Sequence, residues 1–239
     1  MNIIDLKNAT KQYGRKTAID SIYLQFESGK IYGLLGSNGA GKTTLINMIT
    51  NRVFVTAGEV LIDGQPVWEN ETVQGKVFCI TEKGNYPKDL KISQLFSWEK
   101  KFHPKFDITY AYELAKKFDL DTKSRLKSLS TGYQTIVKVV LTLASNAEIM
   151  ILDEPVLGID SLYREVFYNE LQEHHKKNKN LIIIATHLIP EVEKVIEKVI
   201  IIVDGKLITD CDIGVLTGDA EGLNDAYIRI LREHKHGQK

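Results

Sequence analysis

The sequence lacks any excess of charge, because 31 lysines and arginines balance 31 aspartates and glutamates and the net charge is zero. Proteins whose main task is to hold DNA or RNA carry a basic surplus, so this balance argues against nucleic acid as a partner. Only two of the 239 residues are cysteines, Cys79 and Cys211, and they lie far apart. Their scarcity excludes a disulfide scaffold or a zinc site and favours a reducing compartment.

Long hydrophobic runs are also missing. No apolar run approaches the roughly 18 residues that a membrane-spanning helix needs, and the most apolar stretches, 181–185 and 199–203, have the length of strands. The first residues, MNIIDLKNATKQYG, include an early aspartate and lack the apolar core of a signal peptide. We therefore expect a cytoplasmic protein that reaches a membrane only through a partner.

The composition that remains is ordinary for a globular domain, with 43% hydrophobic and 26% charged residues. Apolar runs at 31–35, 149–152, 181–185 and 199–203 are separated by helical patterns, which is typical of a buried parallel sheet in an α/β fold. The alternation of Ile22, Leu24 and Phe26 with polar neighbours predicts a half-buried strand. Residues 58–67 predict a hairpin that turns at Asp63-Gly64.

Three further stretches have helical character. Residues from 87 to about 128 are rich in Lys and Phe and predict a helical insertion. A platform for nucleobases is one interpretation of its aromatic residues, but we favour that they pack the insertion or line a docking groove for a transmembrane helix (Phe96, Trp98, Phe102, Phe106 and Tyr110). The basic segment HHKKNKN at 174–180 precedes a buried strand, and we expect it to be a solvated helix cap rather than a metal or phosphate site. Residues 223–231 predict an amphipathic helix that packs on the domain.

The strongest motif follows the apolar run at 31–35 and precedes a helical pattern. It matches the G-x-x-x-x-G-K-[ST] phosphate loop and consists of Gly36, Ser37, Asn38, Gly39, Ala40, Gly41, Lys42, Thr43 and Thr44. Its glycines let backbone N–H groups converge on phosphate oxygens, and the dipole of the following helix favours the same anion. We predict that Lys42 binds the β and γ phosphates and that Thr43 ligates Mg²⁺. A chance match is the alternative, which the flanking strand and helix disfavour.

A pair of carboxylates ends the apolar run at 149–152. Asp153 is suited to hold Mg²⁺, directly or through water, and the adjacent Glu154 to polarise an attacking water. A strand that ends in acidic residues often only meets solvent, and the presence of the phosphate loop favours the catalytic interpretation.

The order of these motifs along the chain resembles that of the ATP-binding subunits of ABC transporters. The resemblance rests on the phosphate loop, the LSTGY segment at 129–133, the strand that ends in Asp153-Glu154, and His187. It implies an α/β P-loop NTPase fold with a RecA-like core, an antiparallel β subdomain and a helical signature subdomain at about 83–145, all within one domain over 1–239. The LSTGY form is similar to the family's LSGGQ signature, and it resembles bacterial exporter ATPases of the antibiotic and lantibiotic resistance type.

The resemblance also implies roles for single residues. Ser130 and Gly132 would contact the γ-phosphate of ATP bound to a second subunit, although Ser130 taken alone is better explained as a helix N-cap. Tyr13 would stack on adenine, with a plain strand or turn residue as the alternative. His187 would contact the γ-phosphate, although histidines after strands are commonly structural.

In the signature segment Thr131 takes the place of the family's first glycine and Tyr133 that of its glutamine. The sequence departs from the family pattern in two further places. Leu157, before Gly158, takes the place of the usual serine in the loop that crosses to the other subunit, and its side chain offers no hydrogen bond there. The usual magnesium-sensing glutamine is absent from 78–83, where Glu82 or Thr81 takes its place. We favour Glu82, because a carboxylate oxygen can ligate Mg²⁺.

The resemblance therefore predicts an ATPase that uses ATP and Mg²⁺ and dimerises with an identical or different ATPase subunit. This dimer would drive a separate transmembrane permease from the inner face of the membrane, as part of an exporter. The alternative is a soluble ABC-type ATPase such as a scaffold for iron–sulfur assembly. DNA-repair and translation relatives are disfavoured, because the chain has no sustained heptad and only one ATPase unit. An inactive regulator is disfavoured because Lys42, Asp153, Glu154 and His187 are all present.

Overall fold

The computed structural model of the chain describes residues 4–81, 86–218 and 221–236. The chain forms two units, one from Met1–Gln74 with Leu181–Lys239 and one from Gly75–Asn180. The strands are β1 (Ile4–Tyr13), β2 (Lys16–Phe26), β3 (Ile31–Leu35), β4 (Ala57–Ile62), β5 (Gln65–Pro66), β6 (Val77–Ile80), β7 (Ile149–Asp153), β8 (Leu181–Thr186), β9 (Lys198–Val203) and β10 (Lys206–Asp212). The helices are α1 (Lys42–Ile49), α2 (Glu71–Gln74), α3 (Ile92–Phe102), α4 (Ile108–Lys117), α5 (Thr131–Ala144), α6 (Ser161–Asn178), α7 (Ile189–Val192), α8 (Ile213–Thr217) and α9 (Leu223–His236), with a 3₁₀ turn at Leu126–Ser128. Among the helices in these described ranges, none has the length and apolar character needed to cross a membrane.

Parallel strands form the centre of the first unit. β3 pairs in parallel with β8 on one side and with β9 on the other, and β10 pairs antiparallel with β9. Every residue of β3 and of β8 is buried. A strand that is covered on both faces needs apolar residues at every position, which explains the continuous apolar runs. The strands predicted at 31–35, 181–185 and 199–203 are confirmed.

A second, antiparallel sheet of the first unit has the strand order β2-β1-β4-β5. In β2, Ile22, Leu24 and Phe26 are buried and alternate with exposed residues, as predicted. β4 and β5 pair across a two-residue turn, in which Asp63 and Gly64 have φ angles of 53° and 76°. These left-handed angles are those of the type I′ turn that Asp-Gly favours, and the predicted hairpin is confirmed.

The second unit contains the parallel pair β6 and β7 and four helices. Helix α5 is the most apolar of them, and it packs against α3, α4, α6 and β6. Helices α3 and α4 confirm the helical character predicted for 87–128, and β7 confirms the strand predicted at 149–152. The limits of a helical subdomain at about 83–145 stay a prediction.

The five aromatic side chains named for this region differ in their burial, and Tyr110 is half-buried. Phe96 and Phe106 are fully buried, with ring centroids 6.4 Å apart. Trp98 and Phe102 are 43% and 74% exposed. The packing role expected for the aromatics therefore holds for the first pair and not for the second.

The basic segment at 174–180 is only partly solvated. Residues 176–179 are exposed at the end of α6, where Lys179 is the C-cap, so the expected helix cap is confirmed for them, but the two histidines before them are buried and the expectation is wrong there. His174 and His175 are only 4% and 8% exposed. The ring of His174 stacks on Tyr110 of α4, with 6.2 Å between centroids and 11° between the planes. Asn178 Nδ2 lies 3.1 Å from Nε2 of the same ring. The burial comes from a helix about 60 residues away in sequence, which local patterning cannot show.

We expect His174 to make the stability of the protein depend on pH. Burial, followed by the charges of His175 and Lys177, lowers the pKa of His174 to about 4. The unfolded chain binds a proton there near pH 6.5, so this contribution to stability is present above about pH 6.5 and is lost as the pH falls towards 4. The loss by pH 5 is on the order of 2 kcal/mol. Urea unfolding at pH 7 and at pH 5 measures the free energy of unfolding. Between these two pH values the His174→Gln variant should lose clearly less of it than the wild-type protein. An equal loss in both proteins would rule out this assignment.

The last helix packs through one face, as predicted. Leu223 and Ala226 of α9 are fully buried and Ile230 is 8% exposed. The helix contacts α7 and α8 of the same unit. Its described part therefore belongs to the core of the first unit.

Candidate functional site

The phosphate loop lies in the first unit and joins β3 to α1. β3 ends at Leu35 and α1 begins at Lys42. Between them Ala40 N donates to Ser37 O at 3.1 Å, which closes a turn, and residues 37–39 at the tip are exposed. A strand and a helix thus fix both ends of a loop whose tip faces solvent, which is the arrangement that lets backbone amides surround an anion.

Two glycines of the loop are required by close backbone contacts. A Cβ at Gly36 would lie 2.6 Å from Ile202 O, and one at Gly41 would lie 2.7 Å from Ala18 O. Gly41 is also the N-cap of α1, and its backbone φ of 117° is one that residues other than glycine rarely adopt. Since Gly41 has no capping side chain, the N-terminal end of α1 can receive a phosphate.

The turn between β9 and β10 packs against the backbone of the phosphate loop and supports it. Gly205 N donates to Ala40 O at 2.9 Å, and Asp20 N donates to Gly205 O at 2.9 Å. A Cβ at Gly205 would lie 2.8 Å from Ala18 O. In the sequence, the Asp204-Gly205 pair predicts a turn. The contact of that turn with the phosphate loop is not indicated by any local pattern.

Lys42 lies inside the loop. It is 6% exposed, and its Nζ donates to Gly36 O at 2.6 Å and to Ser37 O at 3.3 Å. Thr43 beside it is exposed, and Thr44 is half-buried. The positive charge of Lys42 is therefore held at the loop, next to the amides that would surround a phosphate.

His187 follows β8 at the same edge of the sheet as the phosphate loop. The parallel register pairs Leu35 with Thr186, so Gly36 and His187 are the residues that leave the sheet side by side. Leu188 N donates to Thr186 Oγ1 at 3.0 Å, and this turn leaves the His187 side chain exposed. Its position fits a contact with an anion held by the loop, and a purely structural histidine would be expected to be buried.

Tyr13 ends β1, in a hairpin that leads to the phosphate loop. It pairs with Lys16 of β2, and β2 continues to Ala18, whose carbonyl oxygen packs against Gly41. The ring is 47% exposed, and Lys11 Nζ lies 5.0 Å from its centroid. An exposed aromatic face near the loop is available to stack on a planar base.

The two carboxylates end β7 in the second unit. Asp153 is 7% exposed and Glu154 is half-buried. Glu154 has a φ of 52°, which costs a residue with a side chain on the order of 1 kcal/mol and is concentrated at functional sites. Leu157 N donates to Glu154 O at 3.3 Å and holds this conformation.

The LSTGY segment forms the start of α5, also in the second unit. Ser130 is the N-cap, and its Oγ accepts a hydrogen bond from Tyr133 N at 3.3 Å. The N-cap role considered for Ser130 is therefore present. Ser130 is exposed as well, so it can still face a ligand.

Gly132 brings this segment against the loop that follows Glu154. A Cβ at Gly132 would lie 2.3 Å from Gly158 O, so only glycine allows the approach. Thr135 Oγ1 also donates to Leu157 O at 3.2 Å. The structure thus brings together, within one unit, the signature segment and the loop that carries the substituted Leu157.

The region expected to replace the magnesium-sensing glutamine is only partly within the described residues. Glu82 lies outside them. Thr81 lies inside, and its carbonyl oxygen accepts a hydrogen bond from Lys138 Nζ at 3.0 Å. This contact links the end of β6 to α5.

The residues proposed for Mg²⁺ fit the ion's preferences. Thr43 supplies a hydroxyl oxygen and Asp153 a carboxylate oxygen, both of the hard type that Mg²⁺ binds. Within the described ranges no group of three or more His, Cys, Asp or Glu residues is arranged to hold a metal. Such a sparse set suits an ion that takes its remaining ligands from nucleotide phosphates and water.

Known proteins are similar to this chain over most of its length. A family model described as ABC transporter matches residues 19–157, more than half of the chain. The ABC transporter ATP-binding protein YtrB of Bacillus subtilis is 27% identical over 228 residues, 95% of this chain and 76% of that protein. The bacitracin transport ATP-binding protein BcrA of Enterococcus faecalis is 29% identical over 218 residues, 90% of this chain and 70% of that protein. The ribose import ATP-binding protein RbsA of Lacticaseibacillus paracasei is 28% identical over 222 residues, 87% of this chain and 44% of that protein.

Solved structures share the fold. An ATP-binding subunit of an ABC transporter superposes with a TM-score of 0.86 at 20% identity, covering 96% of this chain and 99% of that chain. The dimeric, post-hydrolysis ATP-binding cassette MJ0796, bound to ADP and Pi, gives a TM-score of 0.78 at 23% identity and covers 88% and 98%. At these identities the likeness shows the fold, and the predicted α/β P-loop NTPase fold is confirmed.

The fold and the loop that encloses Lys42 define a phosphate-loop nucleotide-binding protein. The family match goes further, and the chain belongs to the ABC transporter family. The prediction of an ATP-binding subunit with ATPase activity is confirmed at the level of that family. The roles of single residues stay predictions.

Proposed function

We propose that this chain is the nucleotide-binding subunit of an ABC exporter, and that two such subunits close around ATP to drive a separate membrane permease. The observation that carries the proposal is the phosphate loop, in which buried Lys42 lies beneath an exposed tip. This arrangement offers a positive charge and a helix N-terminus to one polyphosphate.

A dimer is supported by a second exposed helix N-terminus. Besides α1, the start of α5 presents the exposed N-cap Ser130, followed by Gly132 in the first helical turn. The neighbour MJ0796 is a dimer bound to ADP and Pi. If ATP on one phosphate loop also contacts Ser130 of a second subunit, ATP favours the closed dimer, and hydrolysis removes that preference.

Within such a site each residue has a chemical task. Glu154 accepts a proton from the attacking water, and Lys42 with His187 stabilises charge on the transferred phosphoryl group. Thr43 and Asp153 would hold Mg²⁺, which would supply positive charge against the phosphates of the nucleotide. Tyr13 positions the adenine, and thereby the polyphosphate, along the loop.

Export is the direction that we propose. It is supported by the LSTGY form of the signature and by the relative BcrA, whose name assigns it to bacitracin transport. A relative of similar identity, RbsA, is named for ribose import. Transport of a labelled compound into inverted vesicles, in the presence of the permease, would distinguish the two directions.

We place the subunit on the inner face of the membrane, bound to its permease. Purification of the tagged chain from detergent extracts tests this, because a polytopic membrane protein should co-purify with it. Recovery of iron–sulfur assembly proteins instead would favour the soluble scaffold.

Replacement of Lys42 by alanine should weaken ATP binding about 10- to 100-fold, the effect of losing a charged hydrogen-bond donor. The measurement is the affinity of the purified protein for a fluorescent ATP analogue. Lys7→Ala is the matched control, because Lys7 is exposed on the antiparallel sheet and pairs with Glu59. Unchanged affinity in the Lys42 variant would contradict the role assigned to the loop.

A further inference from the structure

A chain of hydrogen bonds joins three elements of the second unit next to the signature segment. The hydroxyl oxygens of Tyr133 and Tyr163 are 3.3 Å apart, and Tyr163 Oη donates to Asp119 Oδ2 at 3.0 Å. Tyr163 has a single hydroxyl hydrogen, which goes to Asp119, so Tyr133 is the donor in the first bond. Tyr133 belongs to α5, Tyr163 to α6, and Asp119 lies just after α4.

Both tyrosines stand at equivalent places in their helices. Tyr133 N donates to the N-cap Ser130, and Tyr163 N donates to the N-cap Asp160 at 3.1 Å. The hydroxyl chain therefore ties together the N-terminal turns of α5 and α6. These turns carry the signature segment and the end of the loop that follows Glu154.

Other contacts hold the same two turns close. Gly132 packs on Gly158 O, and Arg164 Nε donates to Ile159 O at 2.7 Å. The Tyr163 ring packs on Phe118 and Tyr133, each with centroids 6.0 Å away. Loss of one hydroxyl therefore leaves the ring contacts in place and removes only the directional bonds.

The Tyr163 hydroxyl stays protonated over the physiological range. A tyrosine hydroxyl ordinarily has a pKa of about 10. Burial and the Asp119 carboxylate, to which the hydroxyl donates, raise the pKa of Tyr163 above that value. It can therefore serve as a permanent donor to Asp119 and acceptor from Tyr133.

We propose that Tyr133, Tyr163 and Asp119 are positioning residues that hold Ser130 and Gly132 in place to receive the ATP of a second subunit. The inference rests on the proposed function, since it needs an ATP-bridged dimer. It goes beyond that function because it gives a task to Tyr133, the residue that stands where the family signature has glutamine.

The test uses Glu154→Gln, in which slow hydrolysis should trap the ATP-bound dimer. Size-exclusion chromatography over a range of ATP concentrations gives the concentration for half-maximal dimer. Adding Tyr163→Phe removes the bond to the Asp119 carboxylate and the neutral bond between the tyrosines that ties α5 to α6. Loss of the neutral tie alone should raise that concentration about fivefold, so a fivefold or larger increase is expected. The affinity of the monomer for a fluorescent ATP analogue should not change, because its phosphate loop is intact.

Tyr110→Phe is the matched control. Tyr110 Oη donates to Glu170 Oε2 at 3.5 Å and so also joins α4 to α6, but its ring stacks on His174, away from the signature segment. It should leave the ATP concentration for half-maximal dimer unchanged. Tyr133→Phe is a second variant that removes only the donor on α5, and it should shift the concentration in the same direction as Tyr163→Phe.

The outcomes separate this inference from the proposed function. A dimer that forms equally well with Tyr163→Phe, Tyr133→Phe and Tyr110→Phe would overturn the positioning role alone. A parallel loss of monomer affinity for nucleotide would overturn it too, because the hydroxyls would then serve the general structure. Absence of any ATP-dependent dimer in Glu154→Gln itself would overturn the proposed function, and the inference with it.

Discussion

Replacement of Glu154 by glutamine is expected to slow ATP hydrolysis about 100-fold or more, the scale for removal of one general base. Glutamine keeps the length and shape of the side chain, but its amide does not take a proton from water. ATP binding should persist, because Lys42 and the phosphate loop are unchanged. Release of orthophosphate by the purified protein, measured beside nucleotide affinity, gives both quantities.

The matched control is Glu165→Gln, which neutralises an exposed glutamate of α6. It should hydrolyse ATP at the wild-type rate. If Glu154→Gln does the same, Glu154 has no part in the chemistry, and the carboxylates after β7 are only a polar strand end.

The backbone at Glu154 is compatible with the catalytic interpretation. Its φ of 52° lies in the left-handed region, which residues with a side chain adopt uncommonly, and in this chain Asp204 after β9 and Lys179 after α6 adopt it as well. Two hydrogen bonds in the following turn, from Leu157 N to Glu154 O and from Ile159 N to Val156 O, hold it. Strain that the surroundings maintain in this way is concentrated at functional sites.

Contiguous patterns made much of the fold predictable. Apolar runs in the sequence predict the buried strands, and the dipeptide Asp63-Gly64 predicts the hairpin turn. The burial of His174 was not predictable, because it depends on Tyr110 of another helix. Phe96 and Trp98 differ in burial because residues two apart lie on different faces of a helix, but which of the two faces is covered depends on packing partners that are distant in sequence.

The candidate site divides in the same way. The phosphate loop and the carboxylates after β7 are short segments whose chemistry is evident from adjacent residues. The support of the loop by Gly205, and the contact of Gly132 with Gly158, join segments far apart in the chain. These two contacts arise from the packing of one backbone segment on another. In the sequence, the only indication of each contact is a glycine.

Replacement of Gly132 by alanine is expected to reduce ATP hydrolysis about 100-fold, the cost of misplacing a reacting group by about 1 Å. The added Cβ would lie 2.3 Å from Gly158 O, whereas ordinary contacts begin near 3.4 Å. Backbone lies on both sides of this contact, so the signature segment and the loop must separate by about 1 Å. Ser130 moves with the signature segment, away from the ATP that it would contact. The steady-state rate of orthophosphate release measures the effect.

Gly214→Ala is the control, because a Cβ at Gly214 in α8 meets no atom within 4 Å. It should leave the hydrolysis rate unchanged. The affinity of the Gly132→Ala monomer for ATP should also stay at the wild-type value, since the residues that bind its own nucleotide are intact. A wild-type hydrolysis rate in Gly132→Ala would mean that its contact with Gly158 does not set the position of Ser130. Loss of nucleotide affinity together with hydrolysis would mean that the substitution acts through general unfolding, which a lowered melting temperature would reveal.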